Sequence, residues 1–171
     1  MTMGAMMRLG VMGVVLAAPA VIAPRPMSAA VVAAALPRCG AGVLRAEIVD
    51  QEGGAGNIYT TLALRNVGRG SCVTRGYPGV SLVDARGRQI GRPATRVARP
   101  GPLIVLRPGG AASTVVHTLN PGVGTTDCLP PSFFLRVYPP DAYTSLLVRA
   151  RLSECLEHLE VRSLTAGTSG M

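Results

Sequence analysis

The sequence predicts an all-β domain, a sandwich of about eight or nine short antiparallel strands pinned by two disulfides. Three observations carry that expectation. The 171 residues hold 21 glycines and 14 prolines, scattered between short runs of Val, Leu, Ile and Thr. A chain so composed turns often and sustains no long helix. Turn signals recur at intervals of roughly ten residues, the spacing of a β-sandwich. The four cysteines, at 39, 72, 128 and 155, form an even set in a small domain, which points to a disulfide framework.

The first residues read as an address. Met1–Arg8 carries one positive charge, and Leu9–Ala18 is an apolar run of ten residues. That is half the roughly 20 residues needed to span a bilayer. Ala18-Pro19-Ala20 offers small residues to a signal peptidase, and Ser28-Ala29-Ala30 offers a second site. An uncleaved anchor from Leu9 to Leu36 is disfavoured by Pro19, Pro24, Arg25 and Pro26. The expected organisation is a signal peptide over 1–30, a flexible lead-in over 31–38, the β-domain over 39–164 and a disordered tail over 165–171. No stable transmembrane segment is expected after processing. Cys39 follows Leu36-Pro37-Arg38, which is not a lipobox, so no lipid anchor is expected and the mature chain is read as secreted or extracytoplasmic.

Within the domain, Val43–Val49 alternates with Leu44, Ala46 and Ile48 on one face. Gln51–Gly56 reads as a glycine-rich turn, and Ile58–Leu64 alternates again, closing a hairpin. Further strands are expected at Val80–Asp84, Gln89–Gly91, Leu103–Leu106, Ala112–Leu119, Phe133–Tyr138, Tyr143–Arg151 and Leu159–Leu164. Asn66–Cys72, Gly76–Gly79, Asp84–Gly87, Arg107–Gly110 and the residues after Pro139-Pro140 are the turns between them. Leu152, Leu156 and Leu159 also fit two turns of helix, so 152–159 is open between helix and strand.

The cysteines pair by symmetry. Facing residues of an antiparallel hairpin share a constant index sum. Cys39 and Cys72 flank the first hairpin almost symmetrically, as Cys128 and Cys155 flank the hairpin centred on Asp141. The expected bridges are therefore Cys39–Cys72 and Cys128–Cys155. With no Trp and two Phe the core is light, which makes such staples important.

Leu64-Arg65-Asn66-Val67-Gly68, Ser71-Cys72, Gly76-Tyr77-Pro78-Gly79-Val80, Asp84-Ala85-Arg86-Gly87, Leu106-Arg107-Pro108-Gly109-Gly110 and Leu135-Arg136-Val137-Tyr138-Pro139-Pro140 follow one another in a recognisable order. Their order and spacing resemble the secreted actinobacterial family known as domain of unknown function 4232, from about Cys39 to Leu164. The resemblance implies an extracytoplasmic immunoglobulin-like sandwich, often found behind a lipobox. It brings no activity, and no catalytic residue is carried across.

Motifs of chemistry are missing from the sequence. There is no Gly-x-Ser-x-Gly, no His-Glu-x-x-His and no lysine of any kind. Neither His117, placed mid-strand, nor His158, between Glu157 and Glu160, is expected to be more than a surface or packing residue. No catalytic residue, metal ligand or cofactor is assigned. The acids are scattered, and Asp84 and Asp141 sit where carboxylates stabilise turns.

Charge stands out. All 17 basic residues are arginines against 9 acids. Between Arg65 and Arg107 lie nine arginines and one acid, Asp84. Arg86, Arg88, Arg92, Arg96 and Arg99 read as one exposed edge suited to an anionic envelope polymer, lipid head groups or an acidic protein. Export and the lack of interleaved aromatics argue against nucleic acid. The plainer reading is a solvated edge that prevents strand-to-strand aggregation. The expected function is a non-enzymatic binding or structural module of the cell envelope or exterior, with a small secreted hydrolase as the alternative.

Overall fold

The computed structural model describes residues 36–123 and 126–170. The expected signal peptide and most of the lead-in lie outside them. The described chain is all-β, with no helix, and so with none long and apolar enough to cross a membrane.

β1 (Leu44–Gly54) and β2 (Asn57–Asn66) form a hairpin. Its turn is tighter than the sequence suggested. Ala55 and Gly56 make it alone, both at positive φ (49° and 82°), and Gly53 and Gly54 pair within the ladder. A bulge between Ile48 and Asp50 shifts the register, so an even alternation does not persist along β1.

β3 (Cys72–Thr74), β4 (Gly79–Val83), β5 (Gln89–Ile90), β6 (Thr95–Arg96), β7 (Ile104–Leu106), β8 (Ala111–Leu119), β9 (Phe134–Tyr138), β10 (Leu146–Arg149), β11 (Leu159–Val161) and β12 (Thr165–Ala166) follow in order. They assemble into a six-stranded sheet, β1-β2-β8-β11-β6 with β12 also on β8, a four-stranded sheet, β10-β9-β4-β5, and a β3–β7 ribbon. Among the described residues twelve strands stand where eight or nine were expected. β3, β6 and β12 are two or three residues long, too short for alternation to announce them.

One core joins all three sheets. Leu62, Leu64, Ala112 and Val116 from the large sheet meet Val80, Leu82, Leu135 and Val137 from the smaller one, with Ile104 and Leu106 from the ribbon. Burying each such Leu or Val stabilises the fold by about 1.5–3 kcal/mol. At one end Asn66, wholly buried, ties turns together. Its amide nitrogen donates to Gly70 O and Leu106 O, and its carbonyl accepts from Gly68 N, each at 2.9 Å.

Disulfides join Cys39 to Cys72 and Cys128 to Cys155. Cys128 and Cys155 face one another as an antiparallel pair, and the bonds from Leu129 N to Glu154 O and Ala150 N to Phe133 O carry on from the β9–β10 ladder. The other bridge is built differently. Arg38 pairs in parallel with Val73, so Cys39 docks beside β3 and does not extend the first hairpin.

Two expectations are corrected. Residues 152–159 are neither helix nor one continuous strand: Leu156 and Glu157 form a turn between Cys155 and His158, and β11 starts at Leu159. Leu152 and Leu159 are buried while Leu156 is exposed, which breaks the helical stripe. Residues 165–170 of the expected tail are held against β8. Thr165 and Ala166 lie opposite Ser113 and Ala112, and Gly170 N donates to Ser113 Oγ at 2.8 Å. Small residues there allow the backbone to approach β8 closely.

Candidate functional site

The five arginines of the expected edge are all exposed. Their segment leaves β5, the edge of the smaller sheet, and reaches β6, the edge of the larger, so it crosses one flank of the domain from sheet to sheet. Ala94 N, bonded to Val80 O at 2.8 Å, fixes the crossing.

Local partners hold three of the five. Arg88 Nε donates to Asp84 Oδ2 at 2.9 Å, Arg92 lies 3.4 Å from Glu157, and the Arg96 guanidinium sits 6.0 Å from the Tyr77 ring centre. Arg86 and Arg99 make no ion pair among the described residues. Asp84 is structural: its Oδ1 accepts from the backbone N–H groups of Arg86 and Arg88 at 2.8 and 2.9 Å, closing the β4–β5 turn. The Arg88 N–H first, then the Arg88 guanidinium and the Arg86 N–H, hold its carboxyl below the usual value. Two further arginines brace the flank. Arg136 donates to Gly87 O, and Arg75 donates to Gly101 O at 3.1 Å. Neither is evident from sequence, since each comes from a strand or turn remote from the segment.

The outer face of the large sheet carries a second cluster. Register places Tyr59 on β2, His117 on β8 and Glu160 on β11 side by side in one row. His158, just before β11, completes the group. His117 Nε2 and Asn57 Oδ1 are 2.7 Å apart, His117 Nδ1 and His158 Nε2 3.0 Å, and His117 Nδ1 and Glu160 Oε2 3.5 Å. Tyr59 stacks on His117 with ring centres 4.5 Å apart and planes 16° from parallel. The cluster borders a depression of about 350 Å3 that also carries Val97 and Arg162. Among the described residues, neither histidine bonds to a hydroxyl nucleophile.

Nothing local in the sequence marks the two histidines as a pair or as metal ligands. The structure puts their rings in contact across 41 positions of chain. Pairing 114–119 against 159–164 sets Glu160 opposite His117 and brings His158, just before that strand, beside it, but no local signal dictates that register.

A third feature is Glu154, buried beside a depression of about 270 Å3 that Gly91, Arg92, Asp127 and Glu157 also line. Among the described residues Glu154 Oε2 has no hydrogen-bond partner, and burial raises its pKa above the usual glutamate range. The Arg92 backbone N–H and the Arg92 charge oppose that shift, and Glu157 adds to it.

A sequence-family model described as "Domain of unknown function (DUF4232)" matches residues 39–168. No curated protein matches the chain. Two solved structures of β-glucosidase from Kluyveromyces marxianus are similar to it, one of them in complex with glucose. Each match has 13% identity and a TM-score of 0.28, over 65% and 64% of this chain respectively. The chain spans only 14% of that protein's length.

Proposed function

Because this chain belongs to the DUF4232 family of domains of unknown function, we propose from its own geometry that it is a non-enzymatic, exported binding module that engages anionic surfaces. One observation carries the reading: the arginine segment 86–99 runs exposed from the edge of one sheet to the edge of the other. Fixed guanidinium forks suit phosphate or carboxylate groups of an envelope polymer, a lipid head-group layer or an acidic protein. Two disulfides suit an oxidising, extracytoplasmic compartment.

Exposed ionic contacts contribute about 0.2–1 kcal/mol each, so several must act together. Binding should then weaken steeply with salt, as the Debye length falls from about 10 Å at 0.1 M to about 3 Å at 1 M. Co-sedimentation with anionic phospholipid vesicles tests this, with soluble polyglutamate as a second probe. Replacing Arg86, Arg88, Arg92, Arg96 and Arg99 by Gln should leave the melting temperature close to the parent's and abolish retention on at least one probe. Equal retention of variant and parent across the salt range would reduce the flank to a solvated edge.

A further inference from the structure

We propose that His117, His158 and Glu160 form a binding site for a divalent transition-metal ion, a role separate from the arginine flank. The three donor atoms, His117 Nδ1, His158 Nε2 and Glu160 Oε2, all lie within 4.8 Å of one another. Their separations are 3.0, 3.5 and 3.9 Å. A tetrahedral ion with bonds of about 2.0–2.1 Å holds its donors roughly 3.3 Å apart. The three atoms already bracket that spacing, so small side-chain rotations complete the geometry.

The surroundings prepare His117 in the required form. Asn57 Nδ2 donates to Ala55 O at 3.0 Å, which turns Asn57 Oδ1 toward the imidazole. Oδ1 can only accept, so His117 Nε2 carries the proton and Nδ1 presents its lone pair to His158 and Glu160. A metal-ligating histidine typically has its other nitrogen engaged in this way. Stacking on Tyr59 holds the ring plane.

Two ligands stand on paired strands, while His158 follows a turn of two non-glycine residues at positive φ, Leu156 (53°) and Glu157 (56°). Strained backbone of this kind persists where its surroundings hold it in place. Two imidazoles and one carboxylate favour zinc, copper or nickel over magnesium or calcium. Three protein ligands leave a position for water or an external donor beside the depression that carries Arg162.

The test uses the full chain without a histidine tag, exported so that both disulfides form. Calorimetric titration with zinc, copper(II), nickel(II), magnesium and calcium should show one equivalent of a transition ion bound, and neither magnesium nor calcium competing. His158→Ala and Glu160→Gln should each weaken zinc at least tenfold, and Asn57→Ala by about 10–100-fold, as for other outer-shell changes. Cobalt(II) should give the visible absorption of a four-coordinate site in the parent and lose it in His158→Ala. Far-ultraviolet circular dichroism on the metal-free proteins checks folding. His158, partly exposed after a turn, is the variant that keeps the test valid if His117→Ala does not fold. Equal zinc affinity in parent and folded His158→Ala, or equal competition by calcium, would overturn the proposal.

Discussion

At the scale of single residues, Glu154 and Asp84 show how the same acidic group is pushed in opposite directions. Glu154 is buried with an unpartnered oxygen, and burial raises its pKa. The folded protein then binds that proton more tightly than the unfolded chain does. Ionisation therefore weakens the fold above the raised pKa, and stability is regained as pH falls through it toward the unfolded value. Asp84 has a lowered pKa, so its contribution is present above the ordinary value and is lost as pH falls through the lower, folded one. Glu154→Gln should accordingly raise the melting temperature at neutral pH and flatten the pH dependence just above the ordinary glutamate range. Thermal melts across mildly acid to neutral pH decide it; a profile superimposable on the parent's would show that this carboxylate carries no such penalty. Asp84 as a turn former was legible from its place before Ala85-Arg86-Gly87. The burial of Glu154 was not, because it depends on Gly91 passing close over it: a Cβ on Gly91 would meet Glu154 Oε2 at 2.0 Å.

Among the elements, the turn at Leu156-Glu157 sets two consecutive non-glycine residues at positive φ, 53° and 56°. Two-residue hairpin turns with both central residues at positive φ favour Asn-Gly, whose side chains tolerate that region. The double variant Leu156→Asn, Glu157→Gly should stabilise the fold by about 1–2 kcal/mol. It gives up the exposed 3.4 Å contact of Glu157 with Arg92, which is worth little, and the half-exposed Leu156 side chain. Urea denaturation should show a higher midpoint at an unchanged slope; an unchanged midpoint would mean that the surroundings bear no strain there. The leucine spacing hid this turn. Leu152 and Leu159 are both buried, but they reach the core from opposite sides of a reversal that a helical period cannot represent. Longer strands were readable because they alternate: Thr60, Leu62 and Leu64 point inward as their period of two requires. β6 and β12 were unreadable because pairing with β11 and β8, not local sequence, makes them strands.

Over the whole molecule, stability rests on a core rich in Leu and Val and on two staples. The bridges span 33 and 27 residues. Loop-entropy accounting gives each about 3–4 kcal/mol, a large share of the roughly 5–15 kcal/mol of a typical domain. Cys39→Ser with Cys72→Ser, and separately Cys128→Ser with Cys155→Ser, should each lose that amount in urea denaturation, and losing both should leave the domain largely unfolded. A loss under about 1 kcal/mol for either pair would place its stabilisation elsewhere. The arginine flank was visible in the sequence as a run of like charges. The histidine cluster was not, because three strands distant in the chain must come into register before its members touch.

The Cys39–Cys72 link also sets a path for mechanical load. Cys39 lies at the start of the described domain, and its sulfur leads directly into β3. A pull arriving from the chain before it bypasses the entire β1–β2 hairpin, which stays slack inside the covalent loop. The second bridge shields its own 27 residues in the same way. Together the two loops withhold roughly 200 Å of contour, at about 3.4 Å per extended residue, from any stretching of the domain by its ends. Reduction would release that reserve at once, making the domain's extensibility a readout of the redox state around it.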